Sequence, residues 1–363
     1  VSLASLILAI PTAYLLTRFG LRITGLVALS FTLAGAILGA LSDSVTTLLL
    51  ARTVEGVGMG LIAVVGPAAV SAWFAPEDRG LAMGIWATWV PVGNAIAFNL
   101  AEPLMQAVGW QAIWWFGAWS ALLAAVVYAL VVTDPPQLPA PVASSGTAPA
   151  VQGAPAALGA FRRHLLNPTS WILALAFSTF TFSMMAYSTW APTYLSGSAG
   201  IRPAVANFLA SLIFLVGIAT NLVAGWVIDR TDDRYRLLAL SFLIGGILFA
   251  GSFRLEGVLL VAVYTLLLGT VASFIVTSIF TLAPGTMDLP QLAGLGLAIA
   301  QVGSSVGTLT GPPVLGAVID VGGWSAASIC LSLIMAVGLV TVLAAWRRTR
   351  AQRSALPAAV EPQ

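Results

Sequence analysis

The chain has 363 residues, of which 59% are hydrophobic and 8% are charged, whereas a soluble domain carries about 25% charged residues. This composition, with a mean hydropathy of +0.98, excludes a soluble globular protein and predicts a chain that lies mostly within a membrane. The formal net charge of +2 is too small and too dispersed to indicate binding to nucleic acid.

Eleven apolar stretches of roughly 20 residues are each long enough to cross a bilayer. Five precede and six follow a central segment, 134–160, which is rich in proline, alanine, serine and glycine and which we expect to be a flexible linker. The sequence therefore predicts helical bundles at 1–133 and 161–346 and a tail at 347–363. Because the chain starts inside an apolar run, we interpret 1–16 as the second of twelve helices and expect the first to be missing.

Two arginine-bearing loops indicate that the chain is built twice. Arg18 and Arg230 lie 212 positions apart, and each follows a stretch long enough to span a bilayer. Four further residues recur 214 positions later, namely Gly80, Gly93, Gly109 and Trp110 as Gly294, Gly307, Gly323 and Trp324. Parallel repeats of this kind are related by an axis along the membrane normal.

The second loop resembles the signature loop of the major facilitator superfamily, Gly-x-x-x-Asp-Arg, which lies between the second and third helices and recurs between the eighth and ninth. In the first copy, Ala13 and Thr17 stand at the glycine and aspartate positions. The resemblance implies an all-α membrane protein with two pseudo-symmetric helical bundles and 11 of 12 transmembrane helices present. It implies a gating role for the loop residues Arg18, Gly20, Arg22, Gly225, Asp229, Arg230, Arg234 and Arg236.

The fourth helix carries two opposite charges three residues apart, Arg52 and Glu55, which places them on one helix face. A charge at mid-helix costs about 2.5–3.5 kcal/mol on insertion scales, so such residues face a cavity or each other. The run from Leu48 to Gly56 resembles the superfamily motif Leu-x-x-x-Arg-x-x-Gln-Gly, with Glu55 at the glutamine position. Either Arg52 attracts an anionic solute and Glu55 carries a coupled proton, or the two form a structural ion pair.

The fifth helix carries the most distinctive string, from Gly84 to Asn94, which resembles the cyanate-porter and nitroimidazole-transporter branch of the superfamily. This resemblance implies a cavity with aromatic walls and a few polar groups that orient a small ligand. The candidate cavity residues are Arg52, Glu55, Trp89, Asn94, Tyr187, Trp190 and Gln301. For each of them, helix packing or an interfacial position is the alternative interpretation.

The distribution of arginines predicts the orientation in the membrane. Only Arg202 and Arg254 fall in loops on one side, and the positive-inside rule makes the opposite side cytoplasmic. The C-terminus then lies in the cytoplasm of a multi-pass cell-membrane protein. The cytoplasmic bases are Arg18, Arg22, Arg79, Arg162, Arg163, Arg230, Arg234, Arg236, Arg347, Arg348, Arg350 and Arg353.

These features predict a secondary active transporter that moves a small anionic solute by alternating access, driven by protons. We expect no cofactor, no metal and no enzymatic activity, because the chain has one histidine, His164, and one cysteine, Cys330. The expected partners are the solute, protons and the lipid bilayer, and we expect a monomer. Two alternatives stay open, a drug/proton antiporter and a transporter-like sensor that binds a solute without moving it.

Overall fold

The computed structural model describes residues 2–75, 77–133, 163–287, 289 and 292–355, which are mostly helical. The predicted linker at 134–160 lies outside the described residues. The principal helices are α1 (Ser2–Ala40), α2 (Val45–Trp73), α3 (Arg79–Ala87), α4 (Trp89–Val108), α5 (Gln111–Val131), α6 (Pro168–Gly197), α7 (Pro203–Asp229), α8 (Arg234–Ala250), α9 (Val258–Leu282) and α10 (Ala293–Ala355).

Seven of the described helices are long and apolar enough to cross a membrane. Two of them, α1 and α10, each contain two spans, because Gly20 (φ 77°) and Gly323 (φ 69°) interrupt the helix. Glycine adopts a positive φ at little steric cost, whereas a residue with a Cβ atom does not. With α8 and the α3–α4 pair, the described part of the chain accounts for the eleven spans predicted from the sequence.

The predicted fifth helix is divided into α3 and α4 at Thr88. Pro91 follows three residues later and has no N–H to donate to the carbonyl of Ala87, so the helical hydrogen bonds are interrupted there. The regular helical bonds resume at the next residue, where Val92 N donates to the carbonyl of Thr88 at 2.9 Å. The helix is therefore broken just before Pro91.

The helices form two bundles that contact each other along two lines. In the first bundle α1 packs against α2 and α5, and in the second α6 and α8 pack against α10 while α7 packs against α9. Between the bundles, α1 packs against α10, and α3 and α4 pack against α7. The repeat seen in the sequence therefore corresponds to two pseudo-symmetric bundles.

A row of glycines on α10 allows it to lie directly on α6. A Cβ atom added at any of the three glycines would overlap a carbonyl oxygen of α6, so close backbone contact requires glycine there. The pairs are Gly303 with Ala174, Gly307 with Ser178, and Gly311 with Phe182. The three glycines therefore have a packing role.

The last helix extends into the segment predicted as the tail. Helix α10 continues to Ala355 instead of giving way to a tail at 347. Trp346 Nε1 donates to Asp233 Oδ2 at 3.0 Å, and Arg350 Nη2 donates to the same oxygen at 2.8 Å. These bonds join the end of α10 to the loop before α8, which explains why the helix extends beyond the apolar sequence.

Candidate functional site

A cavity of about 340 Å³ lies between the two bundles, at the lower end of the range of about 300–1,000 Å³ for ligand pockets. Residues of α1, α2, α3 and α4 form one side, and residues of α6, α7, α9 and α10 form the other. The wall is largely apolar, with aromatic and methionine side chains that include Trp86, Trp89, Phe177, Phe180, Met184 and Phe280.

The polar groups of the cavity are neutral. Among the described residues that line it, none carries a formal charge; the polar ones include Thr181, Asn221, Ser273, Gln301, Ser304, Ser305 and Thr308. Some of these groups are already hydrogen-bonded within the protein. For example, the hydroxyls of Ser273 and Thr220 form a hydrogen bond, with 2.7 Å between Oγ and Oγ1. The arrangement can therefore orient a small solute by hydrogen bonds within an apolar enclosure.

Of the predicted cavity residues, Trp89 and Gln301 line this cavity. The ring of Trp89 stacks on Trp86, with centroids 5.5 Å apart and planes inclined by 26°. Asn94 lies further along α4, is not among the lining residues, and donates from Nδ2 to the carbonyl of Val90 at 2.9 Å. The structure thus brings together two residues, from α4 and α10, that the sequence placed 212 positions apart.

Tyr187 and Trp190 do not line the cavity, although both are on α6. Tyr187 is 2% exposed and packs among the rings of Phe249, Phe253 and Tyr264, so it faces α8 and α9. Trp190 Nε1 donates to the carbonyl of Pro312 at 2.9 Å. The alternative interpretation, helix packing, describes the contacts of both residues.

Arg52 and Glu55 pair with each other, with 2.6 Å between Nη1 and Oε2. The guanidinium of Arg52 also lies 4.1 Å from the centroid of the Trp114 ring on α5. Their side chains are 52% and 21% exposed, and neither residue is among those that line the cavity. The ion pair considered from the sequence is present, and the roles in solute binding and proton transfer stay predictions.

Asp229 connects the second bundle to the first. Its Oδ1 accepts a hydrogen bond from Gly80 N at 2.6 Å, and its Oδ2 accepts one from Leu81 N at 2.8 Å. The first N–H groups of a helix have no partner within it and carry a partial positive charge, so a carboxylate there is doubly favourable. The carboxylate at the end of α7 thereby caps the start of α3.

Close backbone contact continues along the same two helices. A Cβ atom on Gly225 would overlap the carbonyl of Gly80, and one on Gly84 would overlap the carbonyl of Asn221. Asn221, Gly225 and Asp229 follow each other at intervals of four and so share one face of α7. We call this contact between α3 and α7 the seam; it leads from the cavity at Asn221 to the carboxylate at Asp229.

The remaining loop residues contact mostly their own bundle. Arg22 Nη2 donates to the carbonyl of Ala129 at 2.9 Å, and the Arg18 guanidinium lies 5.5 Å from the centroid of Phe19. In the second loop, the Arg230 guanidinium lies 4.0 Å from the centroid of Trp226. Arg236 N donates to Asp233 Oδ1 at 3.2 Å.

Arg234 contacts the first bundle, because its Nη2 donates to the carbonyl of Glu77 at 3.4 Å. Together with Asp229 it joins the second loop to the first bundle. In the first loop, Thr17 stands at the position of the acid.

Sequence reasoning missed three residues that the cavity brings together, Trp86, Asn221 and Ser305. A signal existed for Asn221, which is a carboxamide within an otherwise apolar span, because polar groups inside a membrane are costly and are commonly functional. Ser305 had no such signal among the many serines of the chain. Trp86 stood in the quoted fifth-helix string without being separated from it.

Comparison with known proteins gives consistent matches over most of the chain. A family model described as Major Facilitator Superfamily matches residues 1–289 and 195–362. The probable L-galactonate transporter of Escherichia coli is 28% identical over 233 residues, which is 63% of this chain and 51% of that protein. The membrane sensor protein UhpC of Escherichia coli is 23% identical over 287 residues, which is 76% of this chain and 65% of that protein.

Solved structures share the fold. The crystal structure of the Escherichia coli fucose:proton symporter FucP superposes with a TM-score of 0.72 and 18% identity, covering 93% of this chain and 87% of that one. The chain spans about half the length of the first curated relatives that it matches.

Proposed function

Because the chain belongs to the Major Facilitator Superfamily, we propose that it is a secondary active transporter of a small organic anion, working by alternating access. The observation that carries this proposal is the cavity between the two bundles, which takes residues from both. A solute held there contacts two bodies that can rock against each other, as transporters with internal repeats do.

Three observations bear on the chemistry of the solute. The cavity has a volume of about 340 Å³ and suits a molecule of the size of a metabolite. An organic anion is supported by the similarity to a probable L-galactonate transporter. The string from Gly84 to Asn94 supports a narrower assignment, the cyanate-porter branch, so cyanate belongs in any set of trial solutes.

We further propose that protons drive the transport and that Glu55 carries them. Glu55 is an acid within a membrane-spanning helix and lies beside a base, Arg52, at 2.6 Å. Such a pair changes its interactions when either member binds a proton or an anion. The protein would act as a monomer in the cell membrane, with the Arg230 loop and the C-terminus in the cytoplasm.

Counterflow in proteoliposomes tests the proposed function. Vesicles that contain the full-length chain and unlabelled L-galactonate should accumulate labelled L-galactonate, and an imposed inward proton gradient should increase the accumulation. L-galactose, which lacks the carboxylate, should be carried poorly, and a fluoroquinolone in the same assay tests the alternative of a drug/proton antiporter. Equal counterflow of the acid and the sugar would contradict the anionic assignment.

A solute sensor is the second candidate, favoured by the similarity to the membrane sensor protein UhpC. A sensor and a carrier both bind a solute in the cavity, but only a carrier exchanges it across the bilayer. Saturable binding of L-galactonate to the purified chain without counterflow in vesicles would identify the sensor.

A further inference from the structure

Three buried polar atoms of the cavity have no hydrogen-bond partner within the described part of the chain. They are Trp86 Nε1, Asn221 Oδ1 and Ser305 Oγ, and all three residues line the cavity. Asn221 and Ser305 are only 4% and 3% exposed. Because buried polar atoms are nearly always hydrogen-bonded, these three atoms indicate a place where a bound molecule supplies the partners.

The three atoms differ in what they need. An indole N–H can only donate, a carboxamide oxygen can only accept, and a serine hydroxyl can do either. A hydroxyl is a small group that accepts from the first and donates to the second. A carboxylate only accepts, and it therefore leaves Asn221 Oδ1 unpaired. If the amide of Asn221 is turned, a hydroxyl still pairs with it by accepting from Nδ2.

The groups are held in place before any solute arrives. The Trp86 ring stacks on Trp89 at 5.5 Å, and its far edge lies where a Cβ atom on Gly66 of α2 would be. The backbone of Asn221 is fixed by its contact with Gly84 at the seam. A site built from fixed groups binds without first ordering its own side chains.

Trp86 belongs to the first bundle and Asn221 and Ser305 to the second, so a solute that pairs with all three contacts both bundles. Its recognition groups are neutral, since no described lining residue is charged. Cyanate has acceptor atoms and no donor, and it cannot serve Asn221 Oδ1. The wall therefore fits a molecule with several hydroxyl groups better than a small inorganic anion.

We propose that Trp86, Asn221 and Ser305 form a subsite for the hydroxylated part of the solute, so that the substrate class is a small polyhydroxylated molecule such as a sugar acid. This inference rests on the proposed function and deepens it by naming the chemistry that is recognised.

Calorimetric binding to the full-length chain in lipid nanodiscs tests the subsite. Galactonate and hexanoate are suitable probes because both have six carbons and one carboxylate, and only galactonate has hydroxyls. Galactonate should bind at least tenfold more tightly than hexanoate. We expect weaker binding of galactonate, by roughly 5- to 100-fold, in each of Trp86→Phe, Asn221→Leu and Ser305→Ala. The binding of hexanoate should be nearly unchanged in all three variants.

Thr310→Val is the matched control for the loss of a hydroxyl on α10. Thr310 Oγ1 already donates to the carbonyl of Val306 at 2.8 Å, and the residue is not among those that line the cavity. This variant should bind galactonate as the parent chain does. Because Asn221 packs against Gly84, the Asn221→Leu variant can fail to fold. In that case the binding measured for Trp86→Phe and Ser305→Ala tests the subsite.

Two results would overturn the subsite. One is that hexanoate or cyanate binds the parent chain as tightly as galactonate does. The other is that the variants weaken galactonate and hexanoate equally, which would mean that the three residues only shape the cavity. Counterflow distinguishes this failure from a failure of the proposed function. If counterflow occurs but galactonate has no advantage over hexanoate, transport is supported and the subsite is contradicted. If galactonate binds selectively but no counterflow occurs, the subsite is supported and transport is contradicted.

Discussion

At the scale of single residues, the two acids singled out from the sequence hold different kinds of partner. Glu55 pairs with a side chain on its own helix, so the pair can form and break without moving a helix. Asp229 caps a helix of the other bundle, so its bonds break whenever α3 and α7 separate. The Glu55 pair can therefore rearrange within one helix, whereas the bonds of Asp229 depend on the contact between the bundles.

Replacing Glu55 by glutamine tests the proton role. Glu55→Gln keeps the shape of the side chain and removes its titration, so proton-driven accumulation should be lost while solute exchange is retained. Uptake at several pH values, with and without a proton gradient, measures both. Thr53→Val on the same helix is the control, since Thr53 Oγ1 donates to the carbonyl of Leu49 at 2.9 Å. Accumulation with an unchanged pH profile would make Glu55 a structural partner of Arg52 only.

Neutralising Asp229 tests the cap on α3. Asp229→Asn keeps one acceptor oxygen and removes the charge, and hydrogen bonds to charged groups contribute about 1 kcal/mol more than neutral ones. The equilibrium between the conformations should shift by several-fold and the transport rate should fall, with expression unchanged. Asp232→Asn, in the same loop, makes the same charge change as a control. Equal transport rates in the two variants and the parent chain would remove the gating role.

At the scale of helices, glycines set how closely the bundles approach. At the contacts of Gly80, Gly84 and Gly225 in the seam, the backbones of α3 and α7 touch. Such contact leaves no room for a side chain between the two backbones at these positions. We expect the seam to open and close during transport.

Adding a single methyl group at the seam should hold it apart. Gly225→Ala places a Cβ atom against the carbonyl of Gly80. The contact between α3 and α7 should therefore open at this point, and transport should slow. Gly93→Ala is the matched control, because a Cβ atom there meets nothing within 4 Å. The measurement uses Ser273→Cys in a Cys330→Ala background. It is the rate at which a thiol reagent, added on the membrane side of the Arg230 loop, labels this cysteine. Equal rates in both alanine variants would contradict the closed seam.

The sequence predicted the helices better than the faces that they present. Hydropathy located the spans in the described part of the chain, and the glycines at 303, 307 and 311 recur every four residues, which is the spacing of a helix-packing face. The break at Thr88 also had a visible cause in Pro91. By contrast, Tyr187 and Trp190 look like cavity residues in a sequence, because aromatic side chains are common in both cavities and helix contacts. Whether these side chains face the cavity or a neighbouring helix depends on how α6 is rotated about its axis. The sequence of an apolar helix with weak amphipathicity does not predict that rotation.

At the scale of the whole molecule, helix directions fix which loops share an end. Arg202 and Arg230 lie at opposite ends of α7, and Asp229 meets the start of α3. The second half of α1 runs from Gly20 to the far end of the molecule, and α2 runs back to the start of α3. The break at Gly20 therefore lies at the same end of the molecule as Asp229. The two arginine-bearing loops are thus on one face of the molecule, as the repeat predicted.

Cysteine labelling in whole cells should place that face in the cytoplasm. In a Cys330→Ala background, Phe19→Cys and Asp232→Cys lie in the two arginine-bearing loops, and Ser198→Cys lies near Arg202 at the other end of α7. A membrane-impermeant maleimide should label only Ser198→Cys in intact cells and all three after permeabilisation, because arginine-rich loops stay on the cytoplasmic side. Labelling of Phe19→Cys and Asp232→Cys from outside would reverse the orientation and keep the fold. Labelling of only one of these two would contradict the two-bundle arrangement itself, since the parallel repeat requires both loops on one side.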